Sequence, residues 1–524
     1  MMKVVSVQEI QEIEQHADAG GLSYIQMMHN AGNGIATWLL NHVDLKRGVI
    51  GLIGSGNNGG DTIIALDALS QRGVRTMGFL VKQRQKDDLL QGYKSSGGIV
   101  VDISHNQHLE ALIAGLQSGM ILLDGILGTG LKLPIRGDLA NVMARISETV
   151  KKRSKGLIIA IDCPSGVDCD SGEVADVTIP TDITLCMAAI KQGLLKSPGR
   201  SYCGDFYGID IGLSEETKQL LMDLPEMIDQ HFVAKRLPAR TETGHKGTYG
   251  TCQVIAGSRA FTGAPYLTGK AAYLSGCGLV HVATIKDVYQ NLSGHLIEAI
   301  WTVLPDIEGA YSINGVVAAK TGFAKADSLV IGPGLGFFHE NAKFLLALLD
   351  VIPEKLPTLI DADGLNLLSE LDNWWDYLPE NTILTPHPGE MSKLTGLSIN
   401  EIQSNRWQIA QEFAQKWGVV LVLKGAMTVV ASPKAELFIL PVSDSALATA
   451  GSGDVLAGVI GGLLAQGTST PLAAACGVWL HAQAGLAAKT IIGTAHCVTA
   501  LAILDYLPEA FFKLKTAGMR LPAV

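Results

Sequence analysis

The chain has 524 residues, too many for a single hydrophobic core, so two or three domains are expected. Its 47% hydrophobic and 17% charged residues, with 59 glycines, describe a globular, core-rich protein with many tight turns. The formal net charge of -10 argues against nucleic acid or an anionic membrane as the main partner, so a phosphate-bearing ligand would be held by local geometry.

Eight cysteines are scattered without a C-x-x-C pair, which indicates neither a zinc knuckle nor a disulfide framework. They read as core thiols of a reducing compartment. The first residues, Met1-Met-Lys-Val-Val-Ser, show no basic region followed by a long apolar run, and no apolar stretch reaches spanning length. The expectation is a soluble cytoplasmic protein.

Positions 7–41 alternate polar and apolar residues at helical spacing, which predicts helices burying Ile10, Ile13, Ile25, Met28 and Ala31. Residues 48–53 read as a buried strand, Gly54-Ser-Gly-Asn-Asn-Gly-Gly-Asp61 as a loop, and 62–70 as a helix. Gly54, Gly56 and Gly59 fit the G-x-G-x-x-G spacing that allows close approach to a diphosphate. A NAD dehydrogenase would carry an acid at the end of the next strand, to hold the ribose hydroxyls. Here the strand 74–81 runs into Lys82-Gln-Arg-Gln-Lys86, read as a solvated charged loop, with an extra phosphate as the alternative.

Two further strands, 120–124 and 156–162, end in Asp124 and Asp162. Ligands of an open parallel sheet gather at the carboxyl ends of its strands, so Asn58, Asp124, Asp162 and Ser165 would converge on one crevice. Asn58, Asp124 and Ser165, helped by backbone carbonyls, could supply the several oxygens of low total charge that a monovalent cation needs.

Asn57-Asn-Gly-Gly-Asp61, Asp124 with Gly128-Thr-Gly-Leu131, and Ile161-Asp-Cys-Pro-Ser-Gly166 resemble the signature of the NAD(P)H-hydrate epimerase domain of the YjeF family over the first 220 or so residues. The resemblance implies a Rossmann-like sheet that binds NAD(P)HX, the hydrated nicotinamide cofactor, and interconverts its R and S epimers beside a potassium ion. By position, Asn57, Asn58, Gly59, Gly60 and Asp61 would line the substrate together with Gly128, Thr129, Gly130, Leu131, Lys132, Leu133 and Pro134. Asn58, Asp124 and Ser165 would hold potassium, and Asp162 would touch substrate as the acid–base group. Thr62 stands where the family usually has another glycine; a threonine at a helix start is benign, although a β-branched side chain could tighten the pocket. Cys163 and Cys169 replace other small residues.

The polar, charged stretch 212–240 marks a boundary near residue 225, giving a first domain of residues 1–222 and a second of 223–524. In the second half, strands are expected at 251–256, 279–284, 328–331, 359–361, 383–385 and 419–423, with a helix from Phe261-Thr-Gly-Ala-Pro265 to Gly278. Strands alternating with helices make another α/β sheet. Its strand ends carry Asp361 and Asp363, His387 and Lys424. Each has a plain alternative: helix caps for the acids, a rigid turn for the histidine between two prolines, a surface cation for the lysine. Thr449-Ala-Gly-Ser-Gly-Asp-Val-Leu-Ala-Gly458 then reads as a tight turn opening a helix, whose unpaired N–H groups make an anion site. Asp454 at its mouth is placed to take a proton from a hydroxyl that attacks phosphate, or merely to cap the helix.

Lys246-Gly-Thr-Tyr-Gly, Phe261-Thr-Gly-Ala-Pro, Gly332-Pro-Gly-Leu-Gly, Thr385-Pro-His-Pro-Gly-Glu, Lys424-Gly-Ala-Met-Thr and Ala450-Gly-Ser-Gly-Asp-Val-Leu together resemble the NAD(P)H-hydrate dehydratase family, a branch of the ribokinase-like fold. The resemblance implies dehydration of S-NAD(P)HX at the expense of ADP or ATP, with magnesium. By position, Ala264, Gly334, Gly336, His387 and Asp454 would contact the hydrate. Lys424, Gly425, Ala426, Met427 and Thr428 would hold the adenine nucleotide with Gly451, Ser452 and Gly453. A homo-oligomer is expected on the resemblance alone. The rival readings are a ribokinase-like kinase for a small vitamin or sugar with a binding-only first domain, and a non-catalytic role for the N-terminal part as a nucleotide sensor or secreted-protein partner.

Overall fold

The computed structural model describes residues 2–84, 87–103 and 106–517, which form two compact units with the division between Leu224 and Pro225. In the first unit, seven strands pair in parallel in the order Ile99–Asp102, Thr76–Leu80, Val49–Ile53, Ile121–Gly125, Ile158–Ile161, Ile183–Met187 and Asp205–Ile209. The central strands are buried throughout, as expected of parallel strands covered on both faces. Strand order reverses between Val49–Ile53 and Ile121–Gly125. That is where a doubly wound sheet opens a crevice at its carboxyl edge.

The helix after Val49–Ile53 runs Asn57–Gln71, five residues earlier than its pattern suggested, so Asn57 to Asp61 are its first turns and not a loop. Glycine makes the early start possible: a Cβ on Gly59 would lie 2.1 Å from the Gly54 carbonyl oxygen. Thr62 packs between its helix and the sheet. Its hydroxyl donates to the Asn58 carbonyl at 2.7 Å, and its side chain fills the space that Gly51 and Gly125 leave between helix and sheet.

Helices Val7–Ala19 and Tyr24–His42 precede the sheet. Ile10, Ile13 and Ala31 are buried, Met28 is half-buried, and Ile25 is 71% exposed because Met27, Ala31, Ile35 and Leu39 set the inward face of its helix. The N-terminal strand Val4–Val5 pairs in parallel with Ile190–Lys191, fixing the backbone of Lys191.

The second unit is built on ten strands in the order Glu226–Met227, Leu437–Ile439, Val429–Ala431, Val420–Leu423, Thr382–Leu384, Thr358–Ile360, Ser328–Ile331, Thr251–Ile255, Leu279–Ile285 and Ile300–Leu304. All neighbours are parallel except the meander joining Val420–Leu423, Val429–Ala431 and Leu437–Ile439. Four of these strands, Glu226–Met227, Ile300–Leu304, Val429–Ala431 and Leu437–Ile439, carry no sequence signal used above. The helix expected from Phe261 to Gly278 is shorter, Ala264–Leu274.

Helix Ser452–Ala465 is buried on almost every side, the mark of a central helix. Its glycines allow that: a Cβ on Gly458 would sit 2.1 Å from the Thr268 carbonyl oxygen, and one on Gly461 2.4 Å from Val330 Cγ2. The helix is thereby pressed against Ala264–Leu274 and strand Ser328–Ile331. Of the cysteines, seven are buried free thiols, whereas Cys497 is exposed and departs from the core reading. No helix among the described residues is long and apolar enough to cross a membrane.

Candidate active sites

At the switch point of the first unit, the carboxylate of Asp124 is fully buried. It accepts from the Ser165 amide at 2.8 Å and the Ser165 hydroxyl at 2.6 Å. Burial pushes its carboxyl up to about 6 against those hydrogen bonds, and among the described residues no cation pairs with it. Asn58 sits beside it, its Nδ2 donating to the carbonyls of Leu127 (3.0 Å) and Ile161 (2.8 Å) while Oδ1 faces Gly128. Asn58, Asp124 and Ser165 are thus brought together. The donor set is all oxygen, carries one formal negative charge, and has an unpaired buried anion at its centre, which fits a monovalent cation.

Asp162, just past strand Ile158–Ile161, adopts a left-handed backbone at φ 65°. Its Oδ1 accepts from the Met187 amide at 3.0 Å and from the buried Lys191 ammonium, and among the described residues no hydrogen bond reaches Oδ2. Burial alone would pull Lys191 down, but Asp162 outweighs it and holds the ammonium above its ordinary value. Asp61, one turn inside its helix, is 6% exposed. Burial and the charges of Asp162 and Glu14 raise its carboxyl well above the usual range. Asn57 is exposed, Gly59 and Gly60 are buried, and the loop holding Gly128, Thr129, Gly130, Leu131, Lys132, Leu133 and Pro134 follows strand Ile121–Gly125, half-buried to exposed.

The basic stretch after Thr76–Leu80 is not simply solvated. Arg84 donates to the carbonyls of Gly54 (2.8 Å) and Gly56 (2.9 Å) and pairs with Asp87, pinning the glycine turn; Gln85 and Lys86 lie outside the described residues. Cys163 and Cys169 are both buried and free.

In the second unit, Lys424, just past strand Val420–Leu423, meets carboxylates that follow two neighbouring strands, Thr358–Ile360 and Thr382–Leu384. Its ammonium donates to Asp361 Oδ1 at 2.7 Å and lies 3.7 Å from Glu390 Oε2, so it is an internal cation, not a surface one. Burial lowers it, but Asp361 and Glu390 more than compensate and keep it above its ordinary value. Burial pushes Glu390 up to about 7 and Asp454 up to about 7; Asp361 adds to both shifts and Lys424 opposes them. Asp363 does not act only as a helix residue: its Oδ2 accepts from the Gly336 amide at 2.8 Å.

His387 is the N-cap of helix Pro388–Thr395, a capping role that neither the ligand reading nor the rigid-turn alternative named. Nδ1 accepts from the amides of Gly389 and Glu390, Nε2 lies 3.5 Å from Glu390 Oε1, and the side chain is 57% exposed. Partial burial and Lys424 lower it, so it is neutral at pH 7. Ala264 and Gly334 are in contact range, since a Cβ on Gly334 would meet that of Ala264 at 2.9 Å.

Gly451, at φ 84°, is the N-cap of helix Ser452–Ala465, so Asp454 lies in its first turn. The Ser452 amide bonds back to Thr449 and that of Val455 to Gly451, which leaves the amides of Gly453 and Asp454 without acceptors among the described residues. The Ser452 hydroxyl is used internally, on the Leu447 carbonyl at 2.8 Å. In the 424–428 loop, Gly425 and Ala426 are exposed, Thr428 turns its hydroxyl onto the Gly425 carbonyl, and Met427 points into the core. A cavity lined by Ser445, Ala448, Thr449, Ala495, His496 and Val498 opens beside the Gly451 turn.

Three members of these clusters, Glu14, Lys191 and Glu390, carry no role in the sequence reading. Lys191 had a usable signal: the only charged residue in the largely apolar run 183–195 must be paired if that run is buried. Glu14 had none, being one acid among several on an amphipathic helix.

Comparison with known proteins bears on both units. The profile described as YjeF-related protein N-terminus matches residues 24–193, and that described as NAD(P)H-hydrate dehydratase matches residues 252–509. The bifunctional NAD(P)H-hydrate repair enzyme Nnr of Thermofilum pendens is 32% identical over 98% of this chain and 97% of its own. That of Coxiella burnetii is 33% identical over 91% and 93%. The crystal structure of the ADP/ATP-dependent NAD(P)H-hydrate dehydratase from Bacillus subtilis, co-crystallised with ATP and magnesium, is 30% identical and covers 56% of this chain and 99% of that one, with a TM-score of 0.47. With both profiles in order on its two units and relatives aligned over nearly its whole length, the chain belongs to the family of bifunctional NAD(P)H-hydrate repair enzymes.

Proposed function

We propose that the protein restores hydrated nicotinamide cofactors in two steps, with Asp162 serving epimerisation of R- and S-NAD(P)HX and Asp454 serving nucleotide-driven dehydration of the S form. Fusion suits the chemistry, because a stereospecific dehydratase strands the R epimer unless a partner activity converts it.

The observation that carries the dehydratase assignment is the first turn of helix Ser452–Ala465, where a carboxyl held at about 7 stands beside two open amides and the half-buried Lys424. A base of that strength is matched to proton transfer near neutral pH. Hydroxide leaves poorly, so Asp454 takes the proton of the hydrate's hydroxyl as that oxygen attacks the terminal phosphate of ADP or ATP. The amides of Gly453 and Asp454 hold the charge of the transferring phosphoryl group. Phosphate then departs, assisted by the ring nitrogen. Ala264, Gly334, Gly336 and His387 border the hydrate; Lys424, Gly425, Ala426, Met427 and Thr428, with Gly451, Ser452 and Gly453, border the nucleotide, mostly through backbone.

Asn58, Asp124 and Ser165 would hold potassium, which when bound supplies a fixed positive charge at the switch point. Among the described residues no group of three or more His, Cys, Asp or Glu side chains is arranged to hold a metal ion, so magnesium is assigned to the phosphates of the nucleotide and no protein cage is invoked for it. A cytoplasmic location and a homo-oligomer complete the reading.

The test is incubation with a mixture of NADHX epimers plus ADP or ATP, following the return of NADH absorbance. Full recovery from the mixture is expected. Recovery that stops at the S fraction would remove the epimerase, and a stable phosphorylated product would favour the kinase reading.

A further inference from the structure

Water added to the ring double bond of a dihydronicotinamide places its hydroxyl on the carbon next to the ring nitrogen, and the two epimers differ at that carbon. Interconversion can therefore run by breaking and remaking one C–O bond: the hydroxyl is protonated, water leaves as the nitrogen lone pair forms a C=N bond, and water returns to the other face with loss of a proton. The site needs one group that gives a proton and one that takes it.

The buried residues around Asp162 divide these duties. Lys191 cannot be the donor, because its ammonium is spent on Asp162 Oδ1 and on the carbonyls of Met187 (3.2 Å) and Ala189 (3.3 Å). Among the described residues Asp162 is anchored through Oδ1 alone, which leaves Oδ2 to accept. Asp61 is buried, has no side-chain hydrogen-bond or ion-pair partner among the described residues, and lies on the helix turn that follows Asn58. An unpartnered carboxylate in that position would be costly, and the neutral acid is the form the site tolerates. The charged groups that act on it are Asp162, Glu14 and Lys191; the first two outweigh the third.

We propose that Asp61 is a catalytic residue of epimerisation, the carboxylic acid that protonates the departing hydroxyl, with Asp162 Oδ2 taking the proton of the returning water and Lys191 as its positioning residue. A proton passed from Asp162 back to Asp61 resets the pair, so each turnover consumes and releases one water and no net proton. The inference rests on the epimerase reading above.

The experiment follows conversion of purified R-NADHX to the S form by chromatography, without nucleotide and with the spontaneous rate subtracted. Asp61→Asn is expected to lower kcat by about 100-fold or more with KM within about threefold, and Asp61→Glu to recover part of the loss. Wild-type kcat should fall toward alkaline pH as Asp61 ionises, and the residual rate of Asp61→Asn should be flat there. Amide hydrogen exchange of strand Ile121–Gly125 checks that each variant is folded. If Asp61→Asn does not fold, the proposal stands on Asp61→Glu: a reduced kcat with the alkaline fall retained supports it. A folded Asp61→Asn with kcat within about threefold of wild type, or with only KM raised, overturns the role of Asp61 and leaves the epimerase assignment intact. No interconversion by the wild-type protein overturns both.

Discussion

Replacing Asp124 by asparagine exchanges a fully buried anion for a neutral group of the same shape, and the structure sets the size of the effect. The carboxyl stands at about 6 in the folded protein against 3.8 for a free aspartate, about two pKa units at 1.36 kcal/mol each, or about 3 kcal/mol. Because the folded value is raised, the folded state binds more protons than the unfolded one between about pH 4 and pH 6. Stability therefore falls as pH rises through that window and is level on either side of it with respect to this group. The amide can still accept from the Ser165 N–H and donate to the Ser165 hydroxyl, so little is lost in its place. Without alkali cations, Asp124→Asn should be more stable than wild type by up to about 3 kcal/mol at pH 8 and indistinguishable at pH 4. Potassium should stabilise the wild type at pH 8 and not the variant. Hydrogen exchange of strand Ile121–Gly125 reads this locally, avoiding a single unfolding energy for a two-unit chain; about 3 kcal/mol corresponds to exchange slowed by about 100-fold. Equal protection of both proteins at pH 8, or equal protection by potassium, would refute the reasoning.

Asp454→Asn should lower S-epimer dehydration by at least about 100-fold while epimer exchange persists, and Asp162→Asn should do the reverse; NADH recovery and chromatography of the epimers check the pair. Lys424→Met removes the charge that opposes the upward shifts of Asp454 and Glu390. Because Asp454 must be ionised to act, the rising limb of dehydration against pH, near 7 in the free wild-type enzyme, should move to higher pH, and an unmoved limb would separate Lys424 from Asp454. Gly458→Ala drives a Cβ to 2.1 Å from the Thr268 carbonyl and should destabilise the second unit by about 1–3 kcal/mol, read as a lower urea midpoint at unchanged slope.

The sequence by itself determined a good deal. Parallel strands buried on both faces read as apolar runs, so the runs ending at Asp124, Asp162, Asp361 and Lys424 announce two α/β sheets and the edge where their chemistry gathers. Glycine-rich turns at Gly54 and Gly451 announce that helices follow, although the first begins at Asn57, five residues before its apolar pattern does. Short edge strands such as Glu226–Met227 and the meander through Val429–Ala431 were not legible, because a strand of two or three residues has no period to detect and exists only by pairing with its neighbour. The placement of Thr62 was likewise not local: its side chain turns inward because Gly51 and Gly125, on two different strands, leave room for it. Only the tertiary structure decided what state the site carboxyls hold. Asp61 meets the fields of Glu14, Asp162 and Lys191, and Asp454 those of Asp361 and Lys424, all distant in the chain. A protonation state is set by burial and by neighbours across space, and neither is written in the local run of residues that a motif records.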